Sequence, residues 1–356
     1  MLARQNYMDE LLAQRAQFID TFYAVKANAD ESRRRLIACA RLLVKKEHPF
    51  FFCTEFKAAL DVLLLDTQMT KTQQLLMLQL YAVIHQNPQE IVDLVYKSSS
   101  VELQNSAPLL ALLMDVDDDL LLVNHPETVV NNHLISAFYR HKWSLLSEFS
   151  VLYFPTATPL TQLYLKVLVD NKSLSKELIT DFIHCDYLHS HLFELYIVRL
   201  DERQVTAIVN YLSRDEDNAG LIINVMALSG YSKFIPFLAR YLQRKEHTLA
   251  AHHALRILLG ESLDNFMPDA IQFAAEKMQR IQDFTYYGAK ILHYWDSTLL
   301  PSVAARILSG QAITPENLAT IWLDGSQAHR RMAAVHQTQF TQDYSAIYYA
   351  CPEAVL

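Results

Sequence analysis

The chain has 356 residues, 51% of them hydrophobic, which is enough for a sizeable core and too much for a disordered segment. Its 39 acidic against 31 basic residues leave a formal net charge of −8, a balance that argues against sequence-independent nucleic-acid binding and against a polybasic hold on an anionic membrane. No run of about 18 apolar residues is uninterrupted, so no membrane insertion is expected. The charges mixed into MLARQNYMDELLAQRAQFID do not suit a signal peptide.

From the N-terminus onward, helices are predicted over 5–24, 31–46, 54–66, 71–86, 101–114, 127–140 and 159–170. Leu, Ala, Gln, Glu and Lys dominate these stretches, as helices prefer. All six glycines (Gly220, Gly230, Gly260, Gly288, Gly310 and Gly325) lie beyond residue 219, so the first 219 residues lack the residue most used in tight hairpins. The chain reads as all-α. Residues 1–155 form an N-terminal helical region. Within it, DVDDDLLLV puts Asp115 and Asp117 at the first and third positions of a calcium loop. That loop needs glycine at position six and a bidentate Glu at twelve, where Pro126 stands, so the aspartates read as a helix end. PTATP at 155–159 marks a bend, followed by a helical connector over 156–218. The four cysteines, Cys39, Cys53, Cys185 and Cys351, form no CxxC pair and read as reduced thiols of a cytoplasmic protein.

HCDYLHSH, residues 184–191, concentrates three histidines, a cysteine and an aspartate. If it is helical, Cys185 and His189 share a face at i, i+4, while His184 and His191 point elsewhere. A zinc site needs three or four convergent ligands at recognisable spacing, which this stretch lacks. Phe182, Tyr187, Leu188, Leu192 and Phe193 fit a helix–turn–helix joint instead. Cys185 and His189, with His252 further on, are the metal-ligand candidates.

DEDNAG at 215–220 precedes an array over 219–325. In YSKFIPFLARYL, Phe234, Phe237, Leu238, Tyr241 and Leu242 form one apolar stripe. Met267, Ile271, Ala274, Met278 and Ile281 form another, and TLAAHHALRILLG sets Leu249, Ala250, Ala254, Ile257 and Leu258 on a broad face. His252 and His253 are adjacent, so one is expected near the core and one toward solvent. MALSG, RILLG and RILSG end at Gly230, Gly260 and Gly310, and Pro236, Pro268 and Pro301 fall near expected helix starts. A recurrence of about 30 residues predicts an α-solenoid of HEAT-like antiparallel helix pairs with irregular repeats. The short basic runs, Arg33–Arg35 and RKEH at 244–247, read as solvated helix faces before partner contacts. Six dispersed glycines build no phosphate cradle, and there is no nucleophile elbow, so no cofactor is expected.

Residues 326–356 form a closing helix and tail. Ser326 is the expected N-cap, with Arg330, Arg331 and His336 projecting from the helix; Tyr344, Tyr348 and Tyr349 follow and need burial, in the array or against another chain. This segment either closes the array or binds a partner. ALRILLGESLD and ILSGQAITPENLATIWLDGSQAHRRMAAVHQTQF resemble the C-terminal half of a bacterial HEAT-like family whose genes often lie in type VI secretion clusters. The matching positions of its L-x-x-G-[ST]-Q-x-x-R-x-A-A segment are Leu323, Gly325, Ser326, Gln327, Arg330, Ala333 and Ala334. The likeness covers about the last 140 residues and implies an accessory or scaffold role without catalytic residues. Two readings follow. One is a non-enzymatic helical-repeat scaffold that binds other proteins, with no nucleic acid and no fixed oligomeric state in its motifs. The other is a metal-dependent enzyme with a histidine-based site.

Overall fold

Ser190, Asp201, Thr314 and Ser326 each end an extended segment and accept a backbone N–H three residues on, which starts a helix. At Asp201 the bond is reciprocal: the Gln204 side chain accepts from the Asp201 N–H at 2.9 Å, closing a capping box. The computed structural model describes residues 88–97, 101–113, 116, 127–142, 146–147, 157–169, 177–268, 271, 277–298 and 305–340. The helices expected before residue 87, the run Asp117–Asp119, Pro301, Ala274 of the Met267–Ile281 stripe, and Tyr344, Tyr348 and Tyr349 lie outside them. The described residues are all-α apart from one short hairpin. None of their helices is long and apolar enough to cross a membrane. Contacts divide the chain into two compact units, Met1–Asn171 with Gln342–Leu356, and Lys172–Thr341.

The described helices of the first unit are α1 (Pro88–Tyr96), α2 (Val101–Leu113), α3 (Glu127–Tyr139) and α4 (Pro159–Val169). Each packs on the next. The Thr161 hydroxyl on α4 donates to Asn131 Oδ1 on α3 at 2.9 Å, so both buried polar groups are satisfied. Arg140, just past α3, donates to the carbonyls of Ala111 and Val116 at 3.0 and 2.5 Å, placing a cation at the negative end of α2.

The second unit contains α5 (Leu178–His184), α6 (His191–Arg199), α7 (Glu202–Leu212), α8 (Ala219–Ser229), α9 (Ile235–Leu242), α10 (Thr248–Leu259), α11 (Lys277–Thr298), α12 (Pro315–Asp324) and α13 (Gln327–Gln337). Phe182 of α5 stacks on Tyr196 of α6, with centroids 5.1 Å apart, and meets Phe193 edge-on. From α7 to α11 each helix packs on the following one or on the one after it: α7 on α8, α8 on α9 and α10, α9 on α10 and α11. The buried faces are rotated from those the sequence suggests. In α9 the inward residues are Ile235, Leu238, Ala239 and Leu242, with Phe237 47% exposed; in α10 they include Ala251, Leu255 and Leu259.

RILSG is not a helix end. Ile307–Leu308 pairs antiparallel with Gln311–Ala312, and Ser309 and Gly310 form the two-residue loop with φ of 51° and 76°, as the tight hairpin turn requires. A leucine followed by Ser-Gly suits a left-handed cap and this turn equally well. The third member of the recurrence is therefore a hairpin. It packs on α10 and α13.

Candidate functional site

A set of polar groups in the second unit, Ser229, Arg306, His329 and His336 among them, gathers where residues 305–340 meet the C-terminal ends of α6, α8 and α10. A helix leaves its last four carbonyls without intrahelical donors. Here the donors come from far along the chain. Arg306 Nη2 donates to the Val198 carbonyl of α6 at 2.7 Å, and its Nε to the Ser229 carbonyl of α8 at 3.0 Å. The Ile307 N–H meets the Gly230 carbonyl at 2.8 Å, while Ser309 and Gly310 donate to Ile257 and Leu258 of α10 at 2.8 Å each. His329 Nε2 reaches the Arg256 carbonyl at 2.8 Å, which fixes that nitrogen as the protonated one. One segment thus caps three helices.

The guanidinium of Arg306 also lies 5.0 Å from the Tyr231 ring centroid and donates to Gln339 Oε1 at 3.3 Å. Burial lowers its pKa, partly offset by the Tyr231 phenol. Burial raises the Tyr231 pKa in turn, and its hydroxyl donates to the Leu200 carbonyl at 3.1 Å. Glycine is required at position 230. Its φ is +73°, and a Cβ there would come within 2.7 Å of Ile313 Cδ1.

Beside this cap an ion pair joins α6 to α13. Residues His191 to Val198 are all buried, so Glu194 is a carboxylate in an apolar surround and needs partners. Its Oε2 accepts from His191 Nδ1 at 3.2 Å and its Oε1 from Arg331. Burial alone would raise the carboxyl, but the His191 hydrogen bond and the Arg331 charge outweigh it and hold its pKa below the usual range.

Of the residues expected to project from the closing helix, only Arg331 reaches solvent. Arg330 is buried with its guanidinium 4.3 Å from the Trp322 ring centroid, and its Nε donates to the Trp322 carbonyl at 2.9 Å. His336 is wholly buried, its Nδ1 3.2 Å from the Gln339 amide. Burial and the nearby Arg306 push its pKa down to about 3, against a smaller opposing effect of the Leu228 carbonyl. Ser326 is the N-cap, as its sequence position suggests. Ala333 and Ala334 are buried, and Gly325 could not carry a Cβ without meeting the Ile321 carbonyl at 2.5 Å.

HCDYLHSH is a joint between α5 and α6, not a continuous helix. Asp186 turns it with φ of 52°, leaving His184 and His189 exposed and Cys185 half-buried. His191, on the wrong side of a continuous helix, becomes the first residue of α6 and turns inward. His252 is buried on α10, its ring stacked 4.3 Å from Phe284, and His253 is exposed. Among the described residues no group of three or more His, Cys, Asp or Glu side chains is placed to hold a metal ion. A cleft of about 380 Å³ between α5 and α7 is lined by Ile179, Thr180, Ala207, Ile208 and Tyr211, with Glu177 and Arg214 among its walls.

The residues missed from sequence are Arg306, Glu194, His191 and His329. Glu194 had a signal: a lone carboxylate inside HLFELYIV, which is apolar all round and must therefore be buried. Arg306 had none, because its acceptors are up to 108 positions away. No family model matches the chain, and neither does any curated protein or solved structure.

Proposed function

We propose that this chain is a non-enzymatic helical-repeat scaffold that docks other proteins, as an accessory of a type VI secretion machine. The observation that carries the reading is the role of the polar groups around α6, α8 and α10. Arg306, His329 and the Glu194 cluster, the residues with the chemistry to catalyse, act as caps and clasps between helices. The same geometry favours a HEAT-like solenoid. The C-terminal ends of α6, α8 and α10 all meet one segment, so alternate helices run in the same direction and α7 and α9 return between them, as in stacked antiparallel pairs. A solenoid needs a terminal unit to cover its last apolar face, and α13 with the hairpin fits that part. The secretion context rests on the resemblance carried by Leu323, Gly325, Ser326, Gln327, Arg330, Ala333 and Ala334, of which Gly325, Ser326 and Arg330 have a structural task at the α12–α13 junction and Ala333 and Ala334 are buried on α13.

The test is affinity purification of the full chain from cells that produce it at native level, followed by light scattering on a sizing column. A protein retained in fixed stoichiometry, and recognised as a secretion component by mass spectrometry, is the expected result. A solitary monomer overturns the scaffold reading. Substrate turnover by the purified chain, abolished by His191→Ala or Glu194→Gln, would do so as well.

A further inference from the structure

The outer face of α9 carries an aromatic–arginine stripe, Phe237 and Tyr241 meeting Phe234 and His247 edge-on at 6.4 and 5.9 Å. The geometry points to this stripe as a docking site for an acidic protein segment, one whose carboxylates are spaced to meet Arg240 and Arg244. The inference rests on the scaffold reading and names the chemistry of the partner. The inward side of α9, Ile235, Leu238, Ala239 and Leu242, packs against α10 and α11, and Gly288 of α11 lies so close that a Cβ would meet the Ala239 carbonyl at 2.8 Å. That leaves Phe237 and Tyr241, one turn apart, toward solvent; Phe237 is 47% exposed and Tyr241 half-buried.

Each ring carries an arginine. Arg240 Cζ lies 5.6 Å from the Phe237 centroid and Arg244 Cζ 5.2 Å from that of Tyr241. On the adjoining α11, Lys290 Nζ stands 5.5 Å from the Tyr287 centroid, and the neighbouring Tyr286 is 68% exposed. Among the described residues neither Arg240 nor Arg244 forms an ion pair with a carboxylate. In a chain of net charge −8, two exposed arginines without carboxylate partners are an electrostatic feature in need of a complement.

The chemistry of the two cations decides what kind of complement fits. An arginine offers an in-plane N–H fork that takes a carboxylate bidentately. The two aromatic rings are about 6 Å apart along the helix axis. Carboxylates two residues apart on an extended segment, or four apart on a helix, match that interval. Exposed Phe237 and Tyr286 supply the apolar contact that such interfaces place beside arginine. A nucleic-acid backbone is the poorer match, because phosphate binding draws on a longer run of cations than this face has.

A phage-displayed random peptide library panned on the full chain at physiological ionic strength tests the assignment. Recovered peptides should carry Asp or Glu at two- or four-residue spacing next to an apolar side chain. A labelled synthetic copy should bind at least about tenfold more weakly to the R240E/R244E double variant, the loss expected when charge-assisted hydrogen bonds are removed. R240K/R244K should fall between, because lysine keeps the charge and lacks the fork. Arg203→Glu, an exposed charge reversal on α7, should leave binding unchanged.

Acidic peptides that bind R240E/R244E as tightly as the wild type overturn the proposal. So does a library that yields no acidic consensus, or a labelled oligothymidylate that binds through the same arginines more tightly than the peptide. Should a co-purifying partner survive R240E/R244E, the scaffold reading stands and this surface is excluded. If the wild-type chain retains no partner, the scaffold reading fails on its own, while the peptide titration still decides the stripe.

Discussion

Arg306 donates to the Val198 carbonyl at 2.7 Å, a bond across 108 positions of sequence. The same guanidinium serves Ser229, so its loss strands two carbonyls at helix ends. Arg306→Ala is expected to lower stability by about 3 kcal/mol, the sum of two partly buried acceptors left without donors. Arg306→Lys should recover less than half of that, since one ammonium cannot span both carbonyls in the plane of the fork. Urea midpoints followed by tryptophan fluorescence check both.

Glu194 is expected to matter more than the arginine it meets. Its side chain is 11% exposed and that of Arg331 45%. Glu194→Ala strands His191 in an apolar surround and should cost about 2 kcal/mol, whereas Arg331→Ala should cost about 1 kcal/mol or less.

The same carboxylate sets an acid limit. Its folded pKa lies below the ordinary 4.5, so the pair contributes in full above pH 4.5 and its stabilisation is lost as pH falls through the folded value. Comparing wild type with Glu194→Gln, the difference in urea midpoint should be largest at neutral pH and shrink below about pH 4.5.

His336 works over a higher range. With a folded pKa of about 3 against an ordinary 6.5, it lets the unfolded chain take up a proton that the folded chain refuses. Stability should therefore fall as pH drops from 6.5 toward 3, by about 1.4 kcal/mol per pH unit at most for this one group. His336→Phe removes that group. The gap between urea midpoints at pH 7 and pH 5 should narrow in the variant, with a remainder from His329, whose pKa burial also lowers.

Two glycines on α8 and at its end should respond in opposite directions. A Cβ at Gly220 meets nothing within 4 Å, so Gly220→Ala should stabilise by about 0.5–1 kcal/mol through the unfolded chain. Gly230→Ala meets Ile313 and a positive φ and should destabilise by more than about 1 kcal/mol. Thermal midpoints of the two variants separate these effects.

The helical class was legible because its causes are local. Ser326 announces the start of α13, Gly230 takes the left-handed cap, and the DEDN of DEDNAG is the turn that leads from α7 into α8. The facing of each helix was less so. Phe237 is as apolar as Leu238, and only the neighbours decide which goes inside. The sequence around Ser309–Gly310 reads as a helix end because both structures demand positive φ after a leucine; what separates them is the pairing of Ile307 with Gly230, which no short window contains. Arg330 and His336 read as outward in the sequence for a similar reason. Their partners, Trp322 and the Arg306 region, are set by packing.

Because Ser309, Gly310 and His329 supply the donors for the end of α10, that helix cannot be completed when its own residues leave the ribosome. Some fifty further residues must be synthesised before its last carbonyls meet their donors. The final turn of α10 should thus stay frayed on the nascent chain and settle only once residues 309–329 have emerged, and a truncation just before residue 305 should leave the three helix ends open to proteases together.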